Sequence, residues 1–299
     1  MSTVAFIGFG ELGSTLARAL RAPGGLSVRA WSRPPRDEAA DEALDARLRG
    51  AGADRAGSIE EAVAGAAAVL AVAPGVASEE LARRCAPHLD AQAIYADLTT
   101  ATPSVKVAAG DRVAARGALY ADIAVLGTVA ASGAAVPLLG SGPGAEAFRA
   151  LVEPAGLRVT ALEAPAGHAT LVKLLRSVYM KGRDALVLEM MIAARKHGLE
   201  RVVAESIAGP GEEVPFPALA ERILSALAVH AERRAHELRS AGAVVRATGV
   251  EPLVTEAGAE RLERLAALGL RGRFGAERPA GGDEVLAALE DLSAGAASG

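Results

Sequence analysis

Val4-Ala5-Phe6-Ile7-Gly8-Phe9-Gly10-Glu11-Leu12-Gly13 opens the chain and runs straight into Ser14-Thr15-Leu16-Ala17-Arg18-Ala19-Leu20. The apolar run reads as a buried parallel strand. Gly8, Gly10 and Gly13 form G-x-G-x-x-G, and an amphipathic helix begins at once, which is the setting in which that motif signifies a dinucleotide site. The first glycine permits the tight turn and the second lets the backbone approach a pyrophosphate. The third lets helix and strand pack closely, while the helix N-terminus faces the negative charge. Gly8, Phe9, Gly10, Glu11, Leu12 and Gly13 are therefore candidate cofactor contacts.

The next strand, Leu26-Ser27-Val28-Arg29-Ala30-Trp31, ends in Ser32-Arg33-Pro34-Pro35-Arg36. An NAD site usually places an acid here to bind the ribose 2′-hydroxyl. No acid is present. Ser32 offers a hydroxyl, and Arg33 and Arg36 offer guanidinium groups suited to a 2′-phosphate. Two solvated surface arginines would look the same in a chain this rich in arginine. The expected cofactor is NADP(H).

Composition narrows the class. The chain has 299 residues, 51% hydrophobic and 23% charged, with a net charge of −4. That length allows two domains, and the charge gives no electrostatic footprint for nucleic acid or an acidic membrane. Cys85 is the one cysteine, so no intramolecular disulfide exists and a reducing cytoplasm fits. The chain enters its first strand at once, so no signal peptide is expected. Its most apolar helical stretch carries Lys173, Arg176, Lys181, Arg183, Asp184 and Glu189 and is no membrane span. No metal site is expected.

Apolar strands alternate with helical patterns as far as about residue 162. Repeated β-α units with buried strands predict an α/β fold, a Rossmann-type doubly wound parallel sheet over residues 1–162. Residues 163–299 read as an all-α domain for substrate and dimerisation, with long helices at Ala169–His197 and Pro217–Arg246. Ligands sit at the carboxyl ends of such strands. Two further loops should therefore line the cofactor: Ala73-Pro74-Gly75-Val76, and Leu98-Thr99-Thr100-Ala101-Thr102-Pro103. The candidate contacts there are Ala73, Pro74, Thr99 and Thr100, although Asp97 and the threonines read equally well as capping or turn residues.

The segment from Gly167 onward is apolar nearly all round, yet Thr170, Lys173, Ser177, Lys181 and Asp184 fall on one stripe. Lysines beside buried surface are costly unless paired or useful. Lys173 suits a general acid/base, since desolvation brings a lysine pKa toward neutrality. Ser177 and Lys181 suit substrate oxygens. The plain alternative is a part-solvated stripe with a Lys181–Asp184 ion pair.

Four segments together resemble the β-hydroxyacid dehydrogenase superfamily, which includes 6-phosphogluconate and 3-hydroxyisobutyrate dehydrogenases. They are the Gly8–Gly13 loop, Asp97 through Pro103, Asp122 through Val129, and Gly167 through Ser177. The resemblance implies that Lys173 is the acid/base and that Leu126, Gly127, Thr128 and Ser177 touch substrate. Leu126 and Thr128 depart from the family's substrate loop, and Ser177 replaces its usual Asn, so the family's substrates do not carry over. His230-x-x-Arg233-Arg234-x-x-Glu237 resembles a branch with a divergent phosphogluconate-dehydrogenase-like C-terminal domain, in which Ser177 and Lys181 are normal. His230 and Arg234 are then candidates to clamp a substrate anion, with an ion cluster at the surface or between subunits as the alternative.

The resulting expectation is an NADP(H)-dependent oxidoreductase acting on a small, anionic hydroxy or keto acid, as a cytoplasmic homodimer without nucleic-acid or membrane partners. An imine reductase is one alternative. Relatives that reduce C=N carry Asp or Tyr at the position of Lys173, which weighs against it. A non-catalytic NADP-binding protein is another, and it would need no ordered acid/base.

Overall fold

Strand residues of alternating parity supply the two faces of the sheet. Val4 and Phe6 point to one side, Ala5 and Ile7 to the other, and all four are fully buried. A computed structural model describes residues 2–21, 26–208, 214–275 and 277–297. Eight strands form one sheet: β1 (Thr3–Ile7), β2 (Ser27–Trp31), β3 (Asp54–Arg55), β4 (Ala68–Ala71), β5 (Ile94–Asp97), β6 (Leu119–Val125), β7 (Leu138–Ser141) and β8 (Val159–Ala161). Their order is β3-β2-β1-β4-β5-β6-β7-β8. Every neighbouring pair is parallel except β6 and β7. The expected doubly wound sheet is present, with two differences. Two-residue β3 is too short and too exposed to leave an apolar pattern. β7 runs antiparallel to β6, and the connection between them holds only the short helix Val129–Ser132 and a 3-10 turn.

Helices cover both faces. On one side Leu16, Leu20, Leu44 and Leu48 pack over Phe6, Leu70 and Ile123. On the other, Ile59, Leu81 and Val113 pack over Ile7, Val69, Tyr95 and Tyr120. Each such large side chain contributes about 1.5–3 kcal/mol when fully buried. The carboxyl ends of β1, β4 and β5 are left free to carry the loops after Ile7, Ala71 and Asp97.

The chain divides into two compact units, Met1–Ser177 and Val178–Gly299. The long helix His168–Lys196 starts in the first and continues into the second. The second unit is helical. The Phe216–Ala247 and Leu253–Ala267 helices pair, and Ala228, Leu270, Val285 and Ala288 form its small core. Glu189 caps the Leu253–Ala267 helix, accepting hydrogen bonds from the Val254 and Thr255 amides at 2.8 and 3.0 Å and from the Thr255 hydroxyl at 2.6 Å. Among the described residues no helix is long and apolar enough to cross a membrane.

Candidate active site

The glycine loop is held by its neighbours' backbones. Gly8 has φ +96°, and a Cβ there would lie 2.1 Å from the Val72 carbonyl oxygen. Its amide donates to the Trp31 carbonyl at 2.8 Å. A Cβ on Gly10 would meet nothing within 4 Å, so open space stands over the loop at the start of the Glu11–Arg21 helix. The first intrahelical bond runs from Ser14 N–H to the Gly10 carbonyl at 3.0 Å. The amides of the preceding turn lack a helical acceptor and give that space a positive potential.

A cavity of about 360 Å³ extends from this loop to the end of β2. Gly8, Phe9, Gly10, Ser32, Arg33, Ala73 and Pro74 line it. A second, of about 510 Å³, is lined by Glu11, Leu12, Thr100, Gly127, Thr128 and Lys173. Gly10, Val72, Ala73 and Pro74 are walls of both. The two adjoin at these residues and together make one candidate groove, with Arg33 in one lobe and Lys173 in the other.

The remaining candidates of the first unit are not equally placed on these walls. Gly13 sits behind the loop, against the Gly8 carbonyl. Arg36 is 90% exposed, pairs with Asp37 at 3.2 Å, and is outside the groove lining. Thr99 is buried, with its amide on Asp97 at 2.9 Å. Leu126 packs against the cluster of Ala124, Leu139 and Ala169. Ser177 donates back to the Lys173 carbonyl of its own helix at 2.9 Å. Lys181, His230 and Arg234 belong to the second unit. The Lys181 side chain is 81% exposed, 3.9 Å from Asp184. Arg234 lines a cavity of about 790 Å³ with Arg183, Arg222 and Arg278. Desolvation, then Arg233, Arg278 and Arg234, hold the His230 imidazole below its ordinary pKa.

Two features of the groove escaped the sequence reading. Arg84 lines the β2 end, its guanidinium 5.4 Å from the centre of the Trp31 ring. Nothing local links the two residues, because only the fold brings the Ser78–Cys85 helix against β2. The other is a charged cluster beneath Lys173. Asp97 and Asp122 are register partners on β5 and β6, and both are fully buried. Lys106, also 0% exposed, lies 2.9 Å from Asp97 Oδ1 and 3.5 Å from Asp122 Oδ1. A faint signal existed, since Lys106 shares a helical face with buried Ala109, Gly110 and Val113.

Both carboxylates accept several hydrogen bonds. Asp97 accepts from Ser78 Oγ at 2.6 Å and from Tyr120 Oη at 3.0 Å. Burial opposes its ionisation, but the Lys106 ammonium and hydrogen bonds from Ser78, Lys106 and Thr99 hold its pKa below the ordinary carboxylate value. Asp122 caps the His168–Lys196 helix, accepting from the Thr170 amide at 2.9 Å and its hydroxyl at 2.7 Å. Ser141 Oγ accepts the Ala169 amide at 2.9 Å. One turn on, Lys173 Nζ donates to Thr100 Oγ1 at 3.0 Å. Burial, then repulsion from Lys106, lower the Lys173 pKa, while Asp122 opposes them. A half-buried amine poised below its ordinary value, on the wall of a groove, is equipped to exchange a proton with a bound oxygen.

Residues 3–155 match the model of the NAD-binding domain of 6-phosphogluconate dehydrogenase. Residues 194–265 match a domain of unknown function, DUF1932. A conserved protein of unknown function, whose structure is described as similar to 3-hydroxyacid dehydrogenases, is 28% identical (TM-score 0.60; 89% of this chain and 98% of that one). The imine reductase of Streptomyces aurantiacus is 22% identical (TM-score 0.72; 96% and 99%). The imine reductase of Myxococcus stipitatus, in complex with NADP+, is 20% identical (TM-score 0.73; 93% and 96%). The two reductases share the fold at these identities. No curated protein matches the chain. The glycine loop, the strand order and the match over residues 3–155 agree, and the chain belongs to the family of the NAD-binding domain of 6-phosphogluconate dehydrogenase.

Proposed function

We propose that the protein is an NADP(H)-linked oxidoreductase interconverting a small anionic hydroxy acid and its keto acid, with Lys173 as general acid/base. The observation that carries this reading is the single groove with Arg33 in one lobe and the Lys173–Thr100 pair in the other. The residues fit the cofactor. Gly10 leaves room for the pyrophosphate, the amides at the helix start face it, and Ser32 and Arg33 stand where a 2′-phosphate would be held. Ala73, Pro74 and Thr100 line the way between. The bound nicotinamide would supply or accept the hydride.

The chain's own residues handle the rest. For reduction, the Lys173 ammonium donates its proton to the carbonyl oxygen. For oxidation, the neutral amine takes the hydroxyl proton. Gly127 and Thr128 border the same lobe and would contact the substrate. The cavity bearing Arg234 beside three other arginines supports an anionic ligand. The exposed apolar side chains of the His168–Lys196 helix, with Leu175 at 62% and Val178 at 72% exposure, support a homodimer built on the helical domain, residues 163–299. Loss of NADPH absorbance with a panel of 2- and 3-keto acids tests the reading. Turnover of cyclic imines alone would replace it with imine reduction, and NADPH binding without any turnover would leave a non-catalytic NADP-binding protein.

A further inference from the structure

Asp97 and Asp122 stand side by side on adjacent strands with no access to water. Two such carboxylates repel strongly in a low-dielectric interior unless a cation or a proton intervenes. Lys106 is that cation. It also donates to the Asp97 carbonyl at 2.9 Å, so it grips the last residue of β5 by both backbone and side chain. Each carboxylate leads to one of the two supports of Lys173. Asp97 holds the Thr99 amide and thus the loop that presents Thr100. Asp122 holds both the amide and the hydroxyl of Thr170, the start of the helix bearing Lys173.

We propose that Lys106 is a positioning residue for Lys173, its buried ammonium clasping Asp97 and Asp122 so that loop and helix together hold the Lys173 amine at the groove wall. This rests on the reading of Lys173 as acid/base. Lys106 touches neither groove lobe, so it acts through the carboxylates. Breaking the clasp would leave the fold's apolar layers in place and let the Thr100 loop and the helix start move apart.

The chain has four lysines, Lys106, Lys173, Lys181 and Lys196, so NMR of lysine-labelled protein can follow the titration of each, assigned by single substitutions. That readout needs no substrate. In Lys106→Met the Lys173 midpoint should rise toward the ordinary lysine value as a neighbouring cation is lost, with Lys181 and Lys196 unmoved. With a confirmed substrate, kcat should fall roughly 10- to 100-fold, the scale of a small misplacement, with NADPH affinity near wild type. Should that variant fail to fold, Thr170→Val cuts one Asp122 bond and keeps all three charges. It should broaden or shift the Lys173 signal and lower kcat more mildly. A folded Lys106→Met with wild-type Lys173 titration and kcat overturns the proposal, as does an unaltered Lys173 signal and kcat in Thr170→Val. Undiminished turnover in Lys173→Met would instead sink the acid/base reading, and the NMR arm would still decide whether Lys106 positions Lys173.

Discussion

Gly8→Ala and Gly10→Ala lie two residues apart and should fail in opposite ways. At Gly8 the new methyl meets the Val72 carbonyl oxygen at 2.1 Å, on a residue with φ +96°. That clash is with backbone, which cannot swing aside. Strain of this kind costs about 1–3 kcal/mol for the dihedral alone, and the overlap adds to it. At about 2–4 °C of melting temperature per kcal/mol in proteins approaching this size, Gly8→Ala should melt several degrees low even without cofactor. At Gly10 nothing lies within 4 Å and φ is not in the left-handed region. Alanine there reduces unfolded-state entropy and should be neutral or stabilising by about 0.4–1 kcal/mol. The space it fills is where the cofactor backbone is expected, so NADPH affinity should drop about tenfold or more, equivalent to roughly 1.4 kcal/mol. Scanning calorimetry of the apoprotein and fluorescence titration with NADPH separate the two effects. Wild-type NADPH affinity in Gly10→Ala would refute the placement of the pyrophosphate over that loop.

NADPH should bind about tenfold or more tightly than NADH, and Arg33→Ala should erase most of that gap; equal affinities in the wild type would contradict the assignment. Lys173→Met should lower turnover roughly 10²–10⁴-fold with NADPH affinity intact; wild-type turnover in that variant would remove it from the chemistry. Because burial and Lys106 depress the Lys173 pKa, the acid is lost earlier than for an ordinary lysine. Reductive kcat/KM should fall as pH rises through that lowered value, and oxidative kcat/KM should rise; profiles flat across this range would remove Lys173 from proton transfer. Light scattering at micromolar concentration should report a dimer, and a monomer there would leave the exposed apolar helix unexplained.

Local spacing was enough for the glycine loop, the strand–helix alternation and the two long helices, because a turn, a two-residue period and a 3.6-residue period are properties of neighbouring residues. The helix expected over Ala169–His197 forms over His168–Lys196. The candidate groove was legible to the same extent. Gly8, Ser32 and Arg33 follow the ends of strands, and Lys173 lies in the second turn of a helix, all in elements written locally. Direction and depth were not. That β7 turns back against β6 could not be read from its sequence, because the apolar pattern of a buried strand is the same in either direction. Asp97 looked like a capping residue and Asp122 like part of a loop motif. Only the register of β5 against β6 makes them a buried like-charge pair that requires Lys106. Charge interactions fall off with distance in space and take no account of separation in sequence. Sequence therefore named the lysine that faces the groove, and tertiary structure supplied the one beneath it.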